Sequence, residues 1–230
     1  MGQKAYSEGV TVSKTVFYFI RHGQVVNAQK VIYERMKGFP LSLTGMRQVR
    51  ETGRFLSSID EAITASAIYA SPLERTVQTA ELIAEILNER RSLAILPKLR
   101  IRTDPRLIEA ENSFKGCRLG YGSASFLKAS NWKKFLDLKT PGWGEEYLKI
   151  ENRMVSFVKS KMNSTKDEVI LVVSHQSPIW VLRHFLTKST TPLNPLMRKV
   201  DLASISKFCI DGATGKLLCS SYFNPAEKIR

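Results

Sequence analysis

Three short runs in the sequence carry side chains able to handle an anion. Arg21-His22-Gly23 follows one apolar run, Ser71-Pro72 precedes a helical stretch with Arg75 in its first turn, and Ser174-His175 follows another apolar run. Arginine presents a planar set of donors that matches phosphate oxygens. Neutral imidazole is a competent nucleophile near pH 7. Each run also has an ordinary reading, as a polar strand end, a solvated helix residue or a satisfied core histidine. His184, on the helix after His175, is read in that ordinary way. The joint placement of two histidines and two arginines at equivalent positions points to a site.

These side chains need a scaffold, and the hydrophobic pattern supplies one. Residues 15–20 (TVFYFI) and 169–173 (VILVV) are unbroken apolar and β-branched runs, the pattern of strands buried on both faces. Residues 67–70 form a short strand. Residues 44–56 carry Met46, Val49, Phe55 and Leu56 at helical spacing. After residue 71, Leu73, Val77, Ala80, Ile83, Ala84 and Leu87 make a helical stripe. Ser71 is expected to cap that helix with Pro72 at its first position, and Ser177-Pro178 to repeat the arrangement. Residues 93–101 carry another short strand, and residues 144–162 read as an amphipathic helix. Residues 203–210 and 216–223 read as a hairpin around the DGATG turn. Strands alternating with helices argue for one α/β domain with a mostly parallel sheet. Ligands in such sheets bind beyond the carboxyl ends of the strands, and all three runs fall there. Helix N-termini add free N–H groups at the same edge.

Composition narrows the classes. The chain has 230 residues, 43% hydrophobic and 24% charged, which excludes intrinsic disorder. The longest apolar run is far too short to span a membrane. With 35 Lys and Arg against 21 Asp and Glu, the net charge of +14 proposes an anionic partner. Nucleic acid, acidic membrane and phosphorylated substrate all satisfy that charge. Three cysteines (Cys117, Cys209 and Cys219) argue against a disulfide framework and for a reducing compartment, hence a cytoplasmic protein. No C-x-x-C pair exists, and no metal site is expected. Residues 1–14 read as a polar tail with no apolar targeting segment, and Tyr6 stands where myristoylation wants Ser or Thr. Residues 15–225 form the expected domain, with a Gly-, Ser- and Lys-rich excursion or lid at 116–144 and a short tail at 226–230.

FIRHGQVVN, SPLERTVQTA and VVSHQSP together resemble the three signature blocks of the histidine phosphatase superfamily, with its phosphoglycerate mutase-like fold. The resemblance runs from about residue 15 to 223. FPLSLTGMRQ is similar to the family segment that enters a helix, Arg106-Leu107-Ile108-Glu109 to its R-L-x-E, and Trp143-Gly144-Glu145-Glu146 to its G-E-S turn. The resemblance implies a three-layer α/β/α sandwich. It implies that His22 is the nucleophile and Glu109 the proton donor. Arg21, Arg75 and His175 would bind phosphate, assisted by Asn27. Glu111 is a rival acid. The family's usual Gly after the second histidine is replaced by Gln176, and NSFKG replaces the R-H-Y-G of the glycolytic mutase branch.

The activity implied is a metal-independent phosphatase acting on small phosphomonoesters through phosphohistidine, with no cofactor. The alternative is a cofactor-dependent phosphoglycerate mutase primed by 2,3-bisphosphoglycerate. A third reading from another class is a noncatalytic basic binding protein, although no nucleic-acid motif is present. Specificity is expected in residues 25–37 and 116–144. The oligomeric state is open between monomer and homodimer.

Overall fold

In the computed structural model, residues 13–118, 144–191, 193 and 198–229 are described. The expected segments 1–14 and 116–144 lie almost wholly outside them. Strand β1, Lys14–Arg21, sits at the centre because it is apolar on both faces. Val16, Tyr18 and Ile20 point into one core and Phe17 and Phe19 into the other, all fully buried. Each such side chain withdrawn from water contributes about 1.5–3 kcal/mol. Strand β4, Glu168–Ser174, pairs with β1 in parallel register, Val16 opposite Val169 and Arg21 opposite Ser174.

The six-stranded sheet has the order β3-β2-β4-β1-β5-β6. Its first four strands, completed by β2 (Ala67–Ala70) and β3 (Ile101–Thr103), are parallel. The last two, β5 (Ile205–Asp211) and β6 (Leu217–Phe223), run antiparallel as the expected terminal hairpin. Helices α1 (Leu43–Ser57), α2 (Asp60–Ile63) and α3 (Glu74–Leu93) cover the Tyr18 face. Helices α4 (Tyr147–Lys159) and α5 (Gln176–Leu186) cover the Phe17 face, which completes the three layers.

Four expectations are corrected. The short strand expected within residues 93–101 starts later: α3 continues to Leu93, and β3 begins only at Ile101. Buried Arg91 prolongs that helix, donating to the carbonyls of Ile63, Ala65 and Pro97. Ser71 does not cap α3, which starts at Glu74 after an N-cap at Leu73. Ser177 and Pro178 lie inside the first turn of α5, whose N-cap is His175. Finally, Cys209 and Cys219 are bonded as a disulfide. The count of three cysteines gave no sign of it, because the two become directly opposed partners only once β5 and β6 pair.

Residues 226–229 pack back onto the domain. Ala226 is buried, and Gln48 Nε2 donates to the Ile229 carbonyl. No helix among the described residues is long and apolar enough to cross a membrane.

Candidate active site

The carboxyl ends of β1, β2 and β4 meet at one edge, and backbone bonds hold them there. His22 N–H donates to the Ser174 carbonyl at 3.2 Å, Ser71 N–H to Val173 at 3.0 Å, and Asp104 N–H to Ala70 at 2.9 Å. Immediately after β1, the turn at Gly23 lies against the first turn of α1. A Cβ on Gly23 would stand 2.6 Å from the Gly45 carbonyl oxygen. Glycine is therefore required for this close approach.

His22 is 2% exposed, and its Nδ1 lies 2.8 Å from the Gly23 carbonyl oxygen. A carbonyl only accepts, so Nδ1 carries the ring proton and Nε2 keeps its lone pair. The fully buried His175 stands edge-on to it, with ring centroids 5.1 Å apart and planes at 66°. His175 Nε2 is 2.8 Å from Ser71 Oγ. This contact engages the hydroxyl that the sequence assigned to a helix cap. Burial pushes the pKa of both imidazoles well below the ordinary value. Arg21 and Arg75 add to this at His22, as do Arg75 and His22 itself at His175. Both rings are therefore neutral at pH 7.

The two arginines close the edge. Arg75, in the first turn of α3, is 1% exposed. Its guanidinium donates to the carbonyl of Glu34 and, at 3.5 Å, to that of Met36, and it lies 4.9 Å from the Tyr33 ring centroid. Arg21 Nη1 donates to the Val200 carbonyl at 2.7 Å. Arg21 Nε, Arg75 Nε and His175 Nδ1 are buried without a hydrogen-bond partner among the described residues. Unpaired buried donors are costly, and a tetrahedral oxyanion matches a set of this kind.

Glu109 follows a short turn at Pro105–Leu107 and is 7% exposed. Its charge is felt by both Arg21 and Arg75, which places it at the same edge. Its Oε1 accepts from Ala110 N–H at 2.7 Å, and its carbonyl accepts from Arg35 Nε at 2.8 Å. Arg35 and Arg153 both bind Glu145, at 2.7 Å and 3.1 Å, and Arg153 also donates to the Arg106 carbonyl. The acid thus hangs on a charged brace. Glu111, the rival, has a side chain 54% exposed and pairs with Arg35 at 3.8 Å.

The structure brings Arg21, His22, Arg75, Glu109 and His175 together. Asn27 stands apart in its bonding: its amide clamps the backbone of Val31, donating to the carbonyl and accepting from the N–H. Gln176 reaches toward the carbonyls of Arg198 and Val200. Trp143 lies outside the described residues, while Gly144 bridges to Asn112 beside Glu109.

Sequence reasoning missed Tyr33, Glu34, Ser71 as a histidine partner, and Arg198. Only the aromatic-acid-base run Tyr33-Glu34-Arg35, within the loop already marked for specificity, could have signalled the first two. Among the described residues, no group of three or more His, Cys, Asp or Glu is placed to hold a metal ion.

Held at the carboxyl edge of a sheet covered on both faces, such a cluster has the donors and the imidazole that suit a phosphoryl group, and the class is an α/β phosphoryl-transfer enzyme. The chain belongs to the histidine phosphatase superfamily (branch 1), whose family model matches residues 17–221. It is 36% identical to an uncharacterised protein of Mycobacterium tuberculosis strain H37Rv, over 93% of this chain and 98% of that one. Among solved structures it is similar to a phosphoglycerate mutase of Bacillus anthracis, with a TM-score of 0.69 and 19% identity, over 95% and 96% of the two chains. It is also similar to a mycobacterial glucosyl-3-phosphoglycerate phosphatase, with a TM-score of 0.67 and 20% identity, over 92% and 99%. The fold is phosphoglycerate mutase-like, as the signature blocks implied.

Proposed function

We propose that the protein is a phosphomonoesterase that works through a phosphohistidine on His22. The observation that carries this reading is the free Nε2 of His22, set among Arg21, Arg75 and His175, each of which has one buried side-chain nitrogen without a partner among the described residues. In the proposed cycle the Nε2 lone pair attacks phosphorus and the P–O ester bond breaks. Glu109 gives its proton to the leaving oxygen. Water then attacks the phosphohistidine, the P–N bond breaks, and the water proton returns to Glu109. Arg21, Arg75 and His175 hold the three equatorial oxygens, where the transition-state charge resides. Splitting one displacement into two lowers each barrier.

The competing reading returns the phosphoryl group to a bound product, as a mutase does. A mutase must exclude water from the phosphoenzyme, and no residue described here is tied to that task. Two measurements test the proposal. His22→Ala should abolish turnover of p-nitrophenyl phosphate and remove an acid-labile, alkali-stable phosphoenzyme from rapid-quench samples. With 3-phosphoglycerate, the proposal expects free phosphate with or without the bisphosphorylated primer; primer-dependent 2-phosphoglycerate would establish the mutase instead.

A further inference from the structure

The acids around the site fall into two groups. Glu145 is matched by Arg35 and Arg153, and Glu111 by Arg35. Glu34 has no ion pair among the described residues, although it sits against the anion site itself. Its carbonyl holds the Arg75 guanidinium, and its Oε1 takes a long hydrogen bond, 3.5 Å, from Asn112 Nδ2. Asn112 lies three residues beyond Glu109, so Glu34 links the two parts of the site, its carbonyl on Arg75 and its carboxyl on the segment that follows Glu109. The charged groups facing it are Glu109, Arg198 and Arg75. Burial and the nearby Glu109 charge push its pKa up to about 7.

We propose that Glu34 selects the leaving group, so that the enzyme favours phosphomonoesters whose alcohol carries an ammonium or hydrogen-bond-donating hydroxyls over those whose alcohol carries a carboxylate or a second phosphate. This rests on the phosphomonoesterase reading above. The physical basis is short-range charge. A carboxylate held by the protein beside the bound phosphate accepts hydrogen bonds from hydroxyls and attracts an ammonium. It repels a substrate carboxylate in a partly desolvated pocket, where such repulsion is stronger than in water. Ionisation of Glu34 near neutrality makes the selection pH-dependent.

The test compares kcat/KM for phosphoethanolamine and 3-phosphoglycerate at pH 6 and pH 8, in the wild type, Glu34→Gln and Glu34→Asp. Where one compound is not turned over, its competitive inhibition constant against p-nitrophenyl phosphate takes its place. The wild-type preference for phosphoethanolamine should grow from pH 6 to pH 8. Glu34→Gln should cut it by about tenfold at pH 8 and flatten its pH dependence, while Glu34→Asp, which keeps the charge, should retain it. A preference unchanged in Glu34→Gln, or an equal loss on both compounds, would overturn the proposal. If the wild type turns over no phosphomonoester and forms no phosphoenzyme, the parent reading falls and takes this one with it. A shifted preference cannot arise from that failure.

Discussion

At the scale of single residues, the proposed cycle depends on a neutral His22 whose Nε2 keeps its lone pair for phosphorus. The Gly23 carbonyl selects the tautomer, and burial with Arg21 and Arg75 suppresses protonation. In that cycle Glu109 has the complementary task of carrying a proton, and the need for that proton depends on the leaving group. An alkoxide must be protonated as it departs, whereas a nitrophenolate leaves unaided. Glu109→Gln should therefore slow turnover of an alkyl phosphate by about 100-fold or more while affecting p-nitrophenyl phosphate far less. Glu111→Gln should spare both, because that side chain points to Arg35 and solvent. Equal losses on the two substrates in Glu109→Gln would remove it from the acid role.

Residues of this kind were legible because their chemistry is contiguous in sequence, as in Arg21-His22-Gly23 and Ser174-His175. Tyr33, Glu34 and Arg198 were not. They come from irregular segments with no hydrophobic period, and only tertiary packing brings Tyr33 and Glu34 onto Arg75. Asn27 shows the converse: a matching residue whose amide the loop uses for its own shape.

At the scale of elements, the strands were the most legible part. A strand buried on both faces must be apolar along its buried length, and β1 from Val16 to Ile20 and β4 from Val169 to Val173 are. Helix ends were less so, because capping depends on what else a hydroxyl can bind. Ser71 is taken by His175, and Ser177 accepts from Arg198 at 2.8 Å. The end of α3 was displaced by Arg91, whose role as a buried carbonyl-binding anchor is invisible in a charge count. One packing feature ties an element directly to the site. Gly45, in the first turn of α1, would place a Cβ in collision with the Gln24 backbone, two residues from His22. Gly45→Ala must push α1 and the His22 turn apart. Overpacking of this kind costs about 1–3 kcal/mol, so the variant should lower both the urea midpoint and kcat/KM. A variant as stable and as active as the parent would mean that the contact between α1 and the turn is not constraining.

At the scale of the whole molecule, the charge of +14 is only partly assigned to the site. Arg91 is structural, and Arg102 and Lys161 lie over the Tyr69 ring. The site's own ionisations nonetheless set how global stability responds to pH. His22 and His175 have folded pKa values pressed well below 6.5. Below that pH the unfolded chain takes up two protons that the native chain refuses. Their contribution is present above pH 6.5 and lost as pH falls, at about 1.4 kcal/mol per pH unit for each ring.

Glu34 works in the opposite direction. Its folded pKa is raised from 4.5 to about 7, so its contribution is complete below the unfolded value and lost as pH rises through 7. Between pH 6.5 and pH 5 two protons are refused and one is retained, so these three groups leave a net slope of about 1.4 kcal/mol per unit. Urea unfolding at pH 6.5, 6.0, 5.5 and 5.0 should show stability falling at about that rate. Glu34→Gln removes the opposing carboxyl and should steepen the fall to about 2.7 kcal/mol per unit. A wild-type stability that instead rises as pH falls would mean that the two histidines titrate as they do in water, leaving Glu34 alone to set the slope. Unchanged steepness in Glu34→Gln would mean that Glu34 holds no proton in this range, and the pH dependence assigned to leaving-group selection would disappear with it.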